Sequence, residues 1–325
     1  LLRVVLYAMV LGASRLAQAQ ILRSAVRGID VDARDMPLNL TPFTWREMNF
    51  SVRLSDIAVK AQGQPERELD ALPPRPPDAP TGSEFLARTA ALTKPERESA
   101  ILDELRRGNV PSFLRKLKPI RLASRFGNGE RHEGIVWVMP DYLAIGSDED
   151  FVRIPMSLPV AEKLACELGY VLPTRKLVDA VYEQADVKLV PRPLPYGPAM
   201  ETNEFYARSQ GIIEEQLARR RAKRGALVAG HKKDLVVALR LFASRERLMI
   251  YGWHMPDSNP IQPLSDAHLA AYADYSHGVR LVARQALLDG RPVDFAEAVA
   301  LSTLAPPFTY VPIPWFADRF RMPPR

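Results

Sequence analysis

Three short pieces within residues 228–282 decide how this chain is read: Gly230-His231-Lys232-Lys233-Asp234, Tyr251-Gly252-Trp253-His254 and Asp274-Tyr275-Ser276-His277-Gly278. Four of the chain's five histidines, His231, His254, His268 and His277, fall in this stretch. Each piece adjoins a short run, Leu235-Val236-Val237-Ala238-Leu239, Leu248-Met249-Ile250-Tyr251 or Val279-Arg280-Leu281-Val282. Runs of this length, rich in β-branched or aromatic residues and bounded by Gly, Asp or Pro, predict strands with a polar residue at the end. Strand ends converge when the strands are neighbours, and polar side chains gathered there form sites.

Working outward, residues 134–139 and 142–145 predict two more strands around Pro140-Asp141. The expected fold is therefore α+β, with a central, mostly antiparallel sheet built from 134–145 and 226–282 and flanked by helices. His132 would approach the cluster if its strand joins that sheet. Asp148, Glu149 and Asp150 lack the ligand spacing of a calcium loop and read as a solvated turn. Thr93-Lys94-Pro95-Glu96 is a capping-box pattern opening a helix that Gly108 ends, and Ser112 begins a short amphipathic piece. Ser157 and Thr174 are placed to cap helices 160–168, closed by Gly169, and 175–185. A longer helix is expected over 203–224, its basic end Arg219-Arg220-Arg221-Ala222-Lys223-Arg224 either complementing the helix dipole or anchoring an anionic polymer. Residues 284–288 and 293–301 read as helical, and the proline- and aromatic-rich tail 306–325 as packed along the surface.

Upstream, residues 1–19 have the three parts of a secretory signal: Arg3, an apolar core, and Ala17-Gln18-Ala19 before Gln20. Arg15 interrupts the apolar core well short of the roughly 20 residues a membrane span needs. Residues 20–72 form an arm, and the proline-dense stretch within 73–81 reads as a stiff linker to the main domain, 82–305. The chain's 325 residues, 47% of them hydrophobic, can bury a substantial core. Its charge of +6 becomes +4 without Arg3 and Arg15, 42 cations against 38 acids. Such mild basicity permits an anionic envelope polymer and does not demand nucleic acid. The single cysteine, Cys166, excludes an internal disulfide and a cysteine-based zinc site, and reads as a structural thiol in its helix.

Three constellations could carry chemistry. In the first, His231 or His277 works as general acid or base, oriented by Asp234 or Asp274, with Lys232 or Lys233 stabilising negative charge. In the second, Ser276 is a nucleophile with a histidine from another strand as its base; the adjacent His277 points to the opposite face. In the third, His231, His254 and His277 hold zinc with water in the fourth position, although no His-Glu-x-x-His motif supports it. Metal-free acid–base chemistry ranks above zinc, so no cofactor is assigned. Around these residues Tyr251, Trp253 and Tyr275 could stack on sugar rings.

Leu172-Pro173-Thr174 with its flanking helices resembles, over 161–185 only, the corresponding turn of formylglycine-generating enzymes and C-type-lectin-like domains. The catalytic cysteine pair of those enzymes has no counterpart here. More broadly, Met139-Pro140-Asp141-Tyr142-Leu143-Ala144, Leu172-Pro173-Thr174-Arg175-Lys176 and the three histidine pieces resemble blocks of a group of uncharacterised exported bacterial proteins, across 114–282. That resemblance implies export and one domain spanning the blocks, and no activity. The expectation is a secreted or periplasmic hydrolase, glycosidase or amidase, acting on an envelope polymer such as peptidoglycan or polysaccharide. Its catalytic residues would be His231, Lys232, Asp234, His254, Ser276 and His277. The alternative is a non-catalytic carbohydrate- or envelope-binding module.

Overall fold

Strand β2 (Lys116–Arg125) and strand β3 (Arg131–Val138) form the longest ladder, antiparallel from Lys118↔Val138 to Arg125↔Arg131. The computed structural model that shows this describes residues 63–125, 129–242, 246–301 and 303–321. The leader-like residues 1–19 and most of the 20–72 arm lie outside the described residues. Strand β1 (Arg67–Glu68) pairs with β2 on one side. Beyond β3 come β13 (Val282–Ala283) and β6 (Tyr170–Val171), with the hairpin β14 (Gln285–Leu288) and β15 (Arg291–Asp294) also attached to β3. Every pairing in this seven-stranded sheet is antiparallel. Two-stranded pieces flank it, β4 (Ala144–Gly146) with β5 (Phe151–Arg153) and, in parallel, β7 (Val187–Lys188) with β8 (Val228–Ala229).

The histidine pieces build a second sheet, ordered β11 (Pro260–Ser265), β10 (Ile250–His254), β9 (Lys233–Leu235), β12 (His277–Gly278). The fold is α+β and mostly antiparallel, as expected, with 134–138 and most of 226–278 in separate sheets. The stretch between them is continuous backbone. Met139 N donates to Leu281 O (3.1 Å) and Leu143 N to Val279 O (2.8 Å), so residues 139–143 run beside 279–281. Arg280, 1% exposed, pins this crossing by donating to Met139 O (2.6 Å) and Val228 O (2.8 Å).

Seven helices lie among the described residues: α1 (Gly82–Thr89), α2 (Lys94–Arg106), α3 (Leu158–Leu168), α4 (Arg175–Gln184), α5 (Asn203–Arg219), α6 (Phe295–Ala300) and α7 (Phe316–Arg319). Their ends follow local chemistry. Thr93 and Glu96 form the capping box of α2, and Thr174 Oγ1 accepts from Leu177 N (3.2 Å) at the start of α4. Helix α4 is wedged between the sheets: Gln184 exchanges hydrogen bonds with the backbone of Arg121 on β2, while Asp179 faces β10. No helix among the described residues is long and apolar enough to cross a membrane.

Four expectations need correction. Residues 284–288, expected helical, form strand β14, because Asp289-Gly290, with φ of 50° and 76°, makes the two-residue turn that pairs β14 with β15. Helix α5 stops at Arg219 rather than 224, since Arg221 takes a left-handed φ of 50° and Ala222 N bonds back to Leu217 O (3.0 Å). The tail enters the core. Phe308, Phe316 and Phe320 are fully buried and pack in a chain with Phe295, ring centroids 5.1–5.9 Å apart, each stabilising the fold by roughly 1.5–3 kcal/mol. The proline stretch is strapped to the body: Arg75 binds Asn109 Oδ1 (2.9 Å) and Ala79 O (2.7 Å), and Arg115 binds Leu72 O (3.0 Å) and Pro73 O (2.7 Å). Cys166, half-buried, approaches Arg319 O at 3.5 Å, and burial pushes its thiol up, as a structural role requires.

Candidate functional site: three imidazole–carboxylate pairs on one sheet

Strand β9 is the spine of the site. Gly230 precedes it at φ 93°, where a Cβ would lie 2.4 Å from Leu189 O; only glycine fits, and its turn delivers His231. The His231 ring is buried and its Nε2 faces Asp141 Oδ1 at 3.0 Å. A carboxylate only accepts, so Nε2 carries the proton and Nδ1, which has no hydrogen-bond partner among the described residues, presents a lone pair. Asp141 in turn binds Arg153 through Nε (3.0 Å) and Nη2 (2.7 Å), and Arg153 Nη1 reaches Glu214 (2.8 Å). Burial opposes the Asp141 charge, yet Arg153 and His231 hold it well below the carboxylate range. Burial outweighs Asp141 at His231 and lowers that imidazole to about 4.

The same strand carries Asp234. Tyr142, whose ring meets His231 edge-on at 4.9 Å, donates its hydroxyl to Asp234 Oδ2 (2.8 Å), while Arg280 Nε stands 3.8 Å from Oδ1. Burial raises Asp234 to about 6 despite Arg280. His254 is its next neighbour: a Cβ built on Gly252 would sit 3.6 Å from both Asp234 Oδ2 and His254 Cε1. His254 Nε2 donates to Asp179 Oδ1 (3.2 Å), and its ring stacks on Tyr182 at 4.4 Å. Asp179 also accepts from Tyr251 (2.7 Å) and Tyr310 (2.8 Å), with Arg175 lying against both of those rings. These buried groups form three hydrogen-bonded sets, Arg153–Asp141–His231, Tyr142–Asp234 and His254–Asp179, the first two meeting where the Tyr142 and His231 rings touch edge-on and the last two lying on either side of Gly252. Lys232 Nζ donates to the Tyr275 carbonyl, and burial brings this amine down to about 7.

His277 lies elsewhere. It pairs with Lys233, one residue before Asp234, and alternate residues of a strand face opposite sides. The sheet therefore separates His277 from the Asp234 system. Its companions are Asp274 (Nε2 to Oδ2, 3.8 Å), His268 and Tyr272, at ring-centroid distances of 6.4 Å and 5.6 Å. Burial lowers His277 to about 4. Two of the three expected imidazoles, His231 and His254, lie near the Tyr142–Asp234 pair, each bonded to its own aspartate, and the third stands behind the sheet.

Other site expectations change. Ser276 Oγ donates to Asp274 Oδ1 (2.5 Å), which also takes the Ser276 amide (2.7 Å), so this hydroxyl closes a local turn and is not activated by a histidine. Each imidazole faces its own carboxylate, and no group of three or more His, Cys, Asp or Glu among the described residues is disposed to hold a metal; the three-histidine zinc arrangement is not formed. Tyr251, Trp253 and Tyr275 are 2%, 7% and 2% exposed, leaving no ring face open to a sugar. Trp253 adopts φ 56° next to a register shift in β10, a strained backbone for a bulky residue. His132 binds Asp289 (2.6 Å) at the far hairpin and does not reach the cluster.

Sequence reasoning missed Asp141, Tyr142, Arg153, Asp179, Arg280 and Tyr310 as site residues. Asp141 and Tyr142 stood in a quoted block. Asp179, on the polar-looking side of α4, carried no signal.

The Arg153–Asp141–His231 set meets solvent at one end. A hollow of about 160 Å³ is lined by Asp141, Arg153, Glu214, Arg224 and Val228, and shares residues 222–226 with a groove of about 400 Å³ along the basic run. Comparison with family models, curated protein sequences and solved structures finds no match to this chain.

The buried imidazoles predict how stability responds to acid. His231 and His277 stay neutral in the fold down to about 4, whereas the unfolded chain takes up protons near 6.5. Stability is therefore lost as pH falls through 6.5, and Asp234, which gains its proton at about 6, offsets part of the loss below that point. Urea midpoints should drop between about pH 7 and about pH 5.5, and His277→Gln should flatten the slope; a midpoint that rises on acidification contradicts the assignment.

Proposed function

We propose that the chain is a hydrolase acting on an envelope or extracellular polymer by acid–base chemistry, with the His231–Tyr142–Asp234–His254 system as its proton-handling centre. The observation that carries this reading is the end of that system at the hollow: Asp141 lines the cavity and orients the neutral His231. In the proposed reaction, water admitted past Asp141 attacks, and His231 Nδ1, buried behind Asp141 and outside the cavity lining, takes its proton. Asp234, part protonated near neutral pH because burial holds it at about 6, returns a proton to the leaving group. Lys232, at about 7, contributes positive charge beside the developing anion.

Export and a polymeric substrate are supported by the leader-like residues 1–19 and by mild basicity. The sugar-stacking module loses its platform with Tyr251, Trp253 and Tyr275 buried. The test is turnover by the purified protein on peptidoglycan and on neutral and acidic polysaccharides, with and without a chelator. Product release that Asp234→Asn abolishes supports the proposal; no turnover on any of them, or turnover indifferent to Asp234, overturns it.

A further inference from the structure

The basic end of α5 is more than a helix terminus. Cations at a helix C-terminus complement its dipole, and the effect fades within the last turn. Arg219 occupies that turn and is paired with Glu215 (2.5 Å). Arg221 and Lys223 lie beyond it, and with Arg220 they line the 400 Å³ groove. All three are exposed and form no ion pair among the described residues. Their neighbours are committed: Arg224 to Glu214 (2.7 Å) and Lys118 to Glu66. Asp186, the acid in the lining, accepts from Leu227 N (3.0 Å). The groove thus presents unpaired positive charge. Arg221 does so from a left-handed φ of 50°, where glycine is the usual residue.

Residues 222–226 line both this groove and the adjacent hollow that ends on Arg153 and Asp141, the partner of His231. The groove's size suits one or a few sugar units, and no aromatic ring among the described residues lines it, which disfavours the base stacking that single-stranded nucleic acid relies on.

We propose that this groove is a binding subsite for the carboxylates of an acidic glycan, with Arg220, Arg221 and Lys223 as the recognition residues. The proposal rests on the hydrolase reading for its polymer, and names the class of polymer. Binding is tested without turnover, by calorimetric titration of the full chain carrying Asp234→Asn with a short oligogalacturonate, its methyl-esterified form and an oligothymidylate. The acidic oligomer should bind, weaken with rising salt, and lose about tenfold or more in affinity in Arg220→Ala/Arg221→Ala. Equal binding of the neutral ester, no binding of the acid, or binding unaffected by the arginine substitutions overturns the subsite. Tighter binding of oligothymidylate overturns it in favour of nucleic acid. Failure here with Asp234-dependent turnover intact leaves the hydrolase and removes only its acidic substrate; binding without any turnover removes the hydrolase and keeps the groove.

Discussion

Asp234→Asn lowers turnover by about 10²–10⁴-fold, the usual worth of a positioned general acid or base, while the protein stays folded. The substitution is nearly isosteric, and the asparagine oxygen can still accept from Tyr142, whose hydroxyl lies 2.8 Å from Asp234 Oδ2. What it removes is a group that titrates at about 6 in a buried site. The pH–rate profile of the wild type should therefore bend near 6, and the residual activity of the variant should lack that limb. Circular dichroism and urea unfolding separate a chemical loss from a folding loss. A variant that turns over as fast as the wild type, or keeps the limb near 6, places the acid elsewhere.

Arg153→Met costs about 3–5 kcal/mol of stability, because it strands a charge. Arg153 and Asp141 have side chains 2% and 4% exposed and meet through two hydrogen bonds of 2.7 Å and 3.0 Å. Without the guanidinium, the Asp141 carboxylate keeps only neutral donors, His231 and the Tyr142 amide (2.7 Å), in a buried setting. Adding Asp141→Leu to Arg153→Met removes the stranded charge and should recover much of the loss. Exposed pairs such as Arg219–Glu215 set the contrast, at about 0.2–1 kcal/mol. Chemical unfolding of the single and double variants measures both effects. A single-variant loss below about 1 kcal/mol would show that this pair is not buried as described.

Features that depend on a few consecutive residues were legible in the sequence. The Thr93/Glu96 box, the Thr174 cap and the Gly169 terminator each act within one turn of helix. Strands were expected on the apolar runs 235–239, 248–251 and 279–282 with the histidine pieces at their ends; the strands run instead mostly through the pieces themselves, Lys233–Leu235, Ile250–His254 and His277–Gly278, which are neighbours in one sheet. Their partners were not legible, because pairing across the fold leaves no local trace: Asp141 and Asp179 come from 90 and 75 residues away along the chain. Arg280 misleads for a related reason. Its alternation with Val279 and Leu281 reads as a solvent-facing position, yet its guanidinium is consumed by carbonyls of two crossing segments. Asp289-Gly290 is a two-residue hairpin signal that the helical reading of 284–288 passed over. The tail's phenylalanines spell hydrophobicity without showing which cavity they fill; Gly134, where a Cβ would lie 2.5 Å from Phe308, is the matching surface.

The coupling of His231 to Asp234 through Tyr142 is measured most directly by nitrogen-15 NMR of the histidine side chains across pH. The predicted result is a His231 ring that stays neutral, protonated on Nε2, down to about 4, with resonances that move in Asp234→Asn and Tyr142→Phe while those of His277 stay in place. A His231 that takes up its second proton near the ordinary 6.5, or that ignores both substitutions, would contradict the connected proton system on which the proposed chemistry stands.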